Sequence, residues 1–201
     1  LPPEMAASLK IYGARISSAD GKSAEGLECL AQALESSDPD LAGIADELAT
    51  IIAREPANPG ARYLRGETLL RLGREDEAVE HLEKCLDLSP AHTDRVREKL
   101  EKLLPMSIKP WLISRVLGGI AWAQQRREDA YRYLNNAQKG PLRSVAGLNE
   151  TLRKLKESSP PDGRLASIYA RGLSLEGRHD ESVGELERLY DSDRNASGRI
   201  M

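Results

Sequence analysis

PGARYLRGETLLRLGREDEAVEHLEKCLDLSP, residues 59–90, is two amphipathic helices and the punctuation between them. Tyr63, Leu64, Leu69 and Leu72 recur at the spacing of one helical face, and Gly73 follows where a left-handed C-terminal cap is needed. Ala78, Val79, Leu82, Cys85, Leu86 and Leu88 line a second stripe over residues 75–88, and Pro90 stops it. A third helical pattern over 93–104 carries Val96, Leu100, Leu103 and Leu104 and closes at Pro105. No stretch of useful length alternates with the period of two that a half-buried strand requires, so the class is all-α.

Outward from this stretch, like residues recur every 52 positions without a gap. Ile44, Val96, Leu148 and Ile200 form one column and Leu30, Leu82, Leu134 and Leu186 another; Leu48, Leu100, Leu152 and Ile51, Leu103, Leu155 keep the same step. Breakers repeat as well: Gly21 and Gly177 stand where Gly73 does, while Asp38-Pro39, Gly140-Pro141 and the run from Ser158 to Gly163 separate helices or units. The rows are 7–58, 59–110, 111–162 and a truncated 163–201, with three helical patterns in each full row. A unit of this kind cannot bury its apolar face alone, so the expectation is one elongated domain over residues 1–201, a stack of about 10 to 12 antiparallel helices.

Composition agrees with helices. Apolar residues at 40% with 30% charged describe a folded chain, and aromatics at only 4%, with no Phe, leave Leu, Ile, Val and Ala to build the core. A net charge of −3 argues against a nucleic-acid partner, which needs a concentrated basic surface. The charge is graded: residues 1–58 hold Lys10, Arg15, Lys22 and Arg54 against ten carboxylates, while residues 111–162 hold nine Lys and Arg against Glu128, Asp129, Glu150, Glu157 and Asp162. Only Cys29 and Cys85 are present, too few for a disulfide framework, which favours a reducing compartment such as the cytoplasm. No apolar run approaches a membrane span, so no membrane insertion is expected. More Arg than Lys suggests a bacterial gene. Beginning at Leu1-Pro2-Pro3 and stopping where another helix would start, the chain is expected to be a piece of a longer protein.

Residues 59–90 resemble the tetratricopeptide repeat (TPR) family: Gly66, Gly73, Ala78, Leu82 and Pro90 stand at its small, turn, small, large and proline positions, with Cys85 at another small one. Leu117, Gly118, Ala130, Leu134 and Ala137 repeat the match from residue 111. From 163, Ala170, Gly177 and Leu186 agree but Ser182 replaces a small apolar residue; near residue 7, only Ala14, Gly21, Leu30 and Ala33 do. The resemblance implies an α-α superhelix, a TPR-like solenoid. Its departure is the step of 52, against about 34 in the family, which leaves one extra helix per interval. Interleaved degenerate repeats and a three-helix unit both fit that spacing.

Catalytic chemistry finds no foothold in the sequence. His81, His92 and His179 have no partner at metal-ligand spacing and read as surface or turn residues. Glu75-Asp76-Glu77, Glu128-Asp129 and Asp180-Glu181 recur at helix starts, which points to helix N-terminal stabilisation rather than acid-base work. Gly118-Gly119 follows no strand and cannot be a phosphate loop. Asn149-Glu150-Thr151 and Asn195-Ala196-Ser197 match the glycosylation acceptor pattern, which is too short to mean anything without evidence of secretion. No enzyme activity, catalytic residue, cofactor or metal is expected.

What the resemblance implies instead is an adaptor that holds a peptide or helix of a partner protein in a concave groove lined by the first helix of each unit. Carried over position by position, the lining is Tyr63, Glu67, Leu70 and Arg71; Leu112, Arg115, Trp122 and Ala123; and Arg164, Ser167, Arg171 and Leu175. The clamp used by chaperone-tail receptors of the family wants Lys and Asn where this chain has Tyr63 and Glu67, so that partner is not implied. Two rival expectations are a self-assembling array, a homo-oligomer in which the acidic first unit docks on the basic third, and the substrate-selecting arm of a larger enzyme.

Overall fold

The structure, a computed structural model, describes residues 3–197, with side-chain surroundings for all of these except 3–7, 18, 143 and 192–197. It is all-α among the described residues. The helices are α1 (Pro3–Ala19), α2 (Ser23–Leu34), α3 (Leu41–Arg54), α4 (Pro59–Arg71), α5 (Glu75–Leu88), α6 (Thr93–Leu103), α7 (Pro110–Ala123), α8 (Arg127–Ala137), α9 (Leu142–Glu157), α10 (Gly163–Leu175) and α11 (His179–Ser197). Short 3₁₀ turns at Pro90–His92 and Leu104–Met106 flank α6. Tertiary packing divides the chain into two compact bodies, residues 1–96 and 97–201.

In the first body α1 and α2 form a hairpin, α3 packs on that hairpin and on α4, and α4 pairs with α5. Ile11, Ala14, Leu30, Ala33 and Leu34 of the hairpin meet Ile44, Leu48 and Ile51 of α3 and Ala61 of α4 in one core. Each such Leu or Ile contributes about 1.5–3 kcal/mol by leaving water. In the second body α7 and α8 form the hairpin, α9 packs on it and on α10, and α10 pairs with α11. Within each body, α3 or α9 therefore links one hairpin to the next.

Leu30, Leu82 and Leu134 are fully buried, as are Leu48, Leu100 and Leu152; Ile44, Val96 and Leu148 are likewise inside. Leu186 breaks its column by being 48% exposed, and Ile200 lies outside the described residues. A Cβ on Gly66 would stand 2.7 Å from the side chain of Leu82, and one on Gly118 would stand 2.7 Å from that of Leu134, so each of these leucines lies close against the backbone of its partner helix. Ala14 holds the same place in the first hairpin with Leu30 fully buried, and Ala170 holds it in the last. Ser182 closes that hairpin instead, its buried hydroxyl donating to the Ala170 carbonyl at 2.7 Å.

Turn chemistry repeats with the same step. Gly21, Gly73 and Gly177 have φ of 77°, 73° and 80°, and Gln125 occupies the equivalent place with φ 59°. A glutamine held there stores roughly 1 kcal/mol that glycine would not. Asp40, Asn58 and Asp162 cap α3, α4 and α10 by accepting from the amides of Gly43, Ala61 and Leu165.

One carboxylate in the first turn of each of α5, α8 and α11 is held by an arginine side chain. Arg74 makes two hydrogen bonds of 2.6 Å to Glu77, Arg126 holds Asp129 at 2.5 and 3.0 Å, and Arg178 holds Glu181 at 2.6 and 2.7 Å. Lys22 and Glu25 form the corresponding pair in the first row, at 3.8 Å. An arginine just before each helix thus clamps a carboxylate in its first turn, the geometry in which a planar guanidinium matches two oxygens.

Candidate protein-binding surface

The first-helix residues fall in two sets, one in each body. In the first body, Tyr63 is 5% exposed, its ring tilted against His92 at 5.9 Å with the Arg95 guanidinium 4.7 Å above it. Burial pushes its phenol pKa up, helped by the nearby Glu67 carboxylate. Leu70 is buried beside it. Arg71 donates to the Leu34 carbonyl at 2.6 Å, at the C-terminal end of α2 where a cation is favoured, and pairs with Glu67 at 3.2 Å. These four side chains mainly bind α4 to its own surroundings.

In the second body, Trp122 is 5% exposed, and its indole N–H donates to the Ser159 hydroxyl at 2.8 Å. The Arg127 guanidinium stacks 3.7 Å over its ring, and Tyr131 meets it edge-on at 6.1 Å. Arg115 is half-buried, its guanidinium lying over Gly147 of α9, where a Cβ would collide with it. Leu112 is half-buried and Ala123 exposed.

Arg164, Ser167 and Arg171 occupy one exposed face of α10. Arg164 pairs with Glu128 at 2.5 Å and lies 4.0 Å over the Tyr131 ring. The Tyr131 hydroxyl donates to Asp162 at 2.5 Å, and burial first and this bond second push its pKa up to about 12. Arg171 donates to the Gln138 side chain at 2.6 Å and also to that of Asn135. Tyr131 therefore brings Trp122 and Arg164 together, while Arg171 stands two turns further along α10.

Tyr131, Arg127 and Gln138 support this face and were invisible to motif reading, because they lie on the second helix and in its turns, while Glu128 was legible only as a helix-start carboxylate. A cavity of about 250 Å³ is lined by Leu104, Pro110, Trp111, Ser114, Asn136 and Lys139, none of them on α10. A signal was present only in the rows: aromatic residues at 111, 122, 131 and 133 concentrate in one unit.

The remaining titratable groups are structural. His81 is not the surface residue its sequence suggests: its Nδ1 is buried without a partner, and desolvation, reinforced by Arg65, Arg62 and Lys84, lowers its pKa to about 4. Since the unfolded imidazole titrates near 6.5, protons bind the unfolded chain first, and stability falls as pH drops from about 6.5 towards 4. Urea titrations at pH 7 and pH 5 should show a loss on the order of 2 kcal/mol that His81→Gln removes; equal pH dependence in the two proteins would refute it. Cys85 is fully buried and burial pushes its thiol up to about 11, while Cys29 is half-buried. Asn149 is 3% exposed, which closes it to glycosylation in the folded chain; Asn195 lies outside the residues with described side chains. Among the described residues no group of three His, Cys, Asp or Glu side chains could hold a metal, and no helix is long and apolar enough to cross a membrane.

Helix α4, the glycine-capped turn and helix α5, ending at the 3₁₀ turn, are what a sequence profile recognises: residues 59–92 match the tetratricopeptide repeat. The chain carries a TPR. Around that repeat the other hairpins keep its turn, and those of α7/α8 and α10/α11 keep its arginine clamp. No curated protein matches the sequence. Among solved structures, one crystal structure of MamA is 15% identical, covering 79% of this chain and 92% of that one with a TM-score of 0.29. A second, of MamA protein, is 13% identical, covering 98% and 96% with a TM-score of 0.30.

Proposed function

We propose that this chain is a non-catalytic scaffold that binds an acidic, extended segment or helix of a partner protein along the first-helix face of its second body, chiefly on α10. The observation that carries the reading is the pair Arg164 and Arg171. They are exposed on one face of α10, seven residues apart, and each is held by groups of α8 and its neighbouring turn: Glu128 and Tyr131 for one, Asn135 and Gln138 for the other. At 1.5 Å per residue the two guanidiniums are staggered by about 10 Å along the helix. Side chains already fixed lose little entropy when a guest arrives, and arginine offers carboxylates paired donors. Ser167 between them supplies a further exposed hydroxyl.

Affinity capture with the intact chain, repeated with Arg164→Ala/Arg171→Ala, tests this. The double variant should lose at least tenfold in affinity, show a shallower salt dependence and keep its melting temperature, because both side chains lie at the surface. Unchanged capture would refute the reading.

A further inference from the structure

The second body holds a cavity away from α10, at the base of the α7/α8 hairpin. Leu104 of the 3₁₀ turn, Pro110, Trp111 and Ser114 of α7, and Asn136 and Lys139 at the C-terminal end of α8 line about 250 Å³. One step of 52 earlier the place of Ser114 belongs to Arg62, whose long side chain runs back to the Pro56 carbonyl at 2.9 Å. Ser114 is 1% exposed and short, so it leaves space where an arginine would project.

Large apolar side chains stand around this cavity. Met106, Ile108 and Leu142 are 75%, 73% and 68% exposed. Each is two residues from one that borders the cavity or its wall: Met106 from Leu104, Ile108 from Pro110, and Leu142 from Gly140, where a Cβ would stand 2.5 Å from the Trp111 ring. A chain step is about 3.8 Å, so the Cα of each lies within about 8 Å of that neighbour's. Single apolar residues are ordinary on a surface, but a group gathered around a recess marks an interaction site.

Size limits what the recess can take. An apolar cavity of about 150 Å³ holds a benzene ring, while pockets for whole small-molecule ligands run about 300–1,000 Å³. At about 250 Å³ this one suits a single leucine or phenylalanine side chain and is too small for a whole lipid acyl chain.

Charge limits the segment that carries that side chain. Residues 102–114 and 135–144 contain Lys102, Lys109, Lys139 and Arg143 and no Asp or Glu. Lys139 is exposed, borders the cavity and donates to the Asn136 side chain at 2.9 Å; no carboxylate meets it among the described residues. Carboxylates beside an anchoring residue would therefore find cations and no like charge in these segments.

We infer that the cavity beside Trp111 is an anchor site for one leucine or phenylalanine of an acidic partner segment, with Asp or Glu on either side of the anchor. It does not involve the α10 arginines, so this proposal and the one above can fail separately.

The acetylated and amidated peptides EDEFDED and EDEADED serve as probes, read by NMR at the indole N–H of Trp111, which is assigned with Trp111→Phe. The resonance should shift saturably with the phenylalanine peptide, and the alanine peptide should bind at least tenfold more weakly. Ser114→Leu should abolish the shift and melt no lower than the parent, because the cavity has room for the larger side chain. Lys139→Gln, at an exposed position, should weaken binding and flatten its salt dependence, and Arg164→Ala/Arg171→Ala should leave it unchanged. A Trp111 resonance that does not move, equal binding of the two peptides, or binding that survives Ser114→Leu overturns the inference. Binding to phosphatidylglycerol vesicles in place of the peptide would assign the apolar rim to a lipid surface, and a dimer that Ser114→Leu dissociates would assign the cavity to a second copy; either result overturns it as well.

Discussion

Replacing Gly118 by leucine is expected to break the α7/α8 hairpin. A single Cβ at this position would stand 2.7 and 2.8 Å from Cδ2 and Cγ of Leu134, which is fully buried and has no free space to move into. Overfilling a packed core by even one methylene costs about 1–3 kcal/mol, and leucine adds four carbons. A loss of about 3 kcal/mol or more, read as a fall of about 10 °C in Tm, is the expected outcome. Gly66→Leu should behave in the same way through Leu82. The contact can be isolated with a cycle of Gly118→Ala, Leu134→Ala and the double variant, since the added methyl should be tolerated once the leucine is gone. Additive effects, or a Gly118→Leu protein that melts with the parent, would show that the two helices are not held this closely.

Trp122→Ala should be nearly as damaging, and for a reason that bears on function. The indole is 5% exposed, bonded to Ser159, stacked under Arg127 and edge-on to Tyr131. Truncating a buried tryptophan costs about 3–5 kcal/mol, and here the Ser159 hydroxyl also loses its partner. Urea unfolding, with ellipticity at 222 nm as the signal, measures it. Trp122→Phe should recover most of the packing but not the hydrogen bond. If Trp122→Ala instead left stability intact and abolished partner capture, the side chain would be a surface anchor. Any binding defect in this variant therefore needs the folded fraction beside it, whereas Arg164 and Arg171 can be changed without that ambiguity.

Much of the helical plan was legible. The helix at 75–88 has the limits that apolar spacing and Pro90 suggest, because helix termination is a local matter of caps and missing donors. The turns at Gly21, Gly73 and Gly177 were legible for the same reason, since only glycine enters the left-handed region without strain. Gln125 was not, because its neighbours impose a conformation that its own side chain disfavours. The carboxylates of α5, α8 and α11 were recognised as structural, yet the arginine clamp that holds them depends on rotamers that spacing does not specify.

The binding face divides more sharply. Tyr63, Glu67, Leu70 and Arg71, and then Leu112, Arg115, Trp122, Arg164 and Arg171, share equivalent positions on first helices, but equivalent positions are not equivalent surroundings. Whether such a side chain meets water is settled by how near the next helix comes, and that distance is set by small residues elsewhere, such as Gly147 beneath Arg115. Leu186 likewise shares its column with Leu30, Leu82 and Leu134, which are fully buried, yet is 48% exposed.

By itself, then, the sequence determined an all-α chain with three helical patterns in each full row, since periodicity, caps and breakers act within a few residues of one another. Only the tertiary structure decided that Trp122 and Tyr63 are interior, that Arg164 and Arg171 are exposed and held in place, and that Leu186 leaves the core that the rest of its column occupies. Burial is a property of pairs of helices in contact, and the distance between them is decided by packing across the pair.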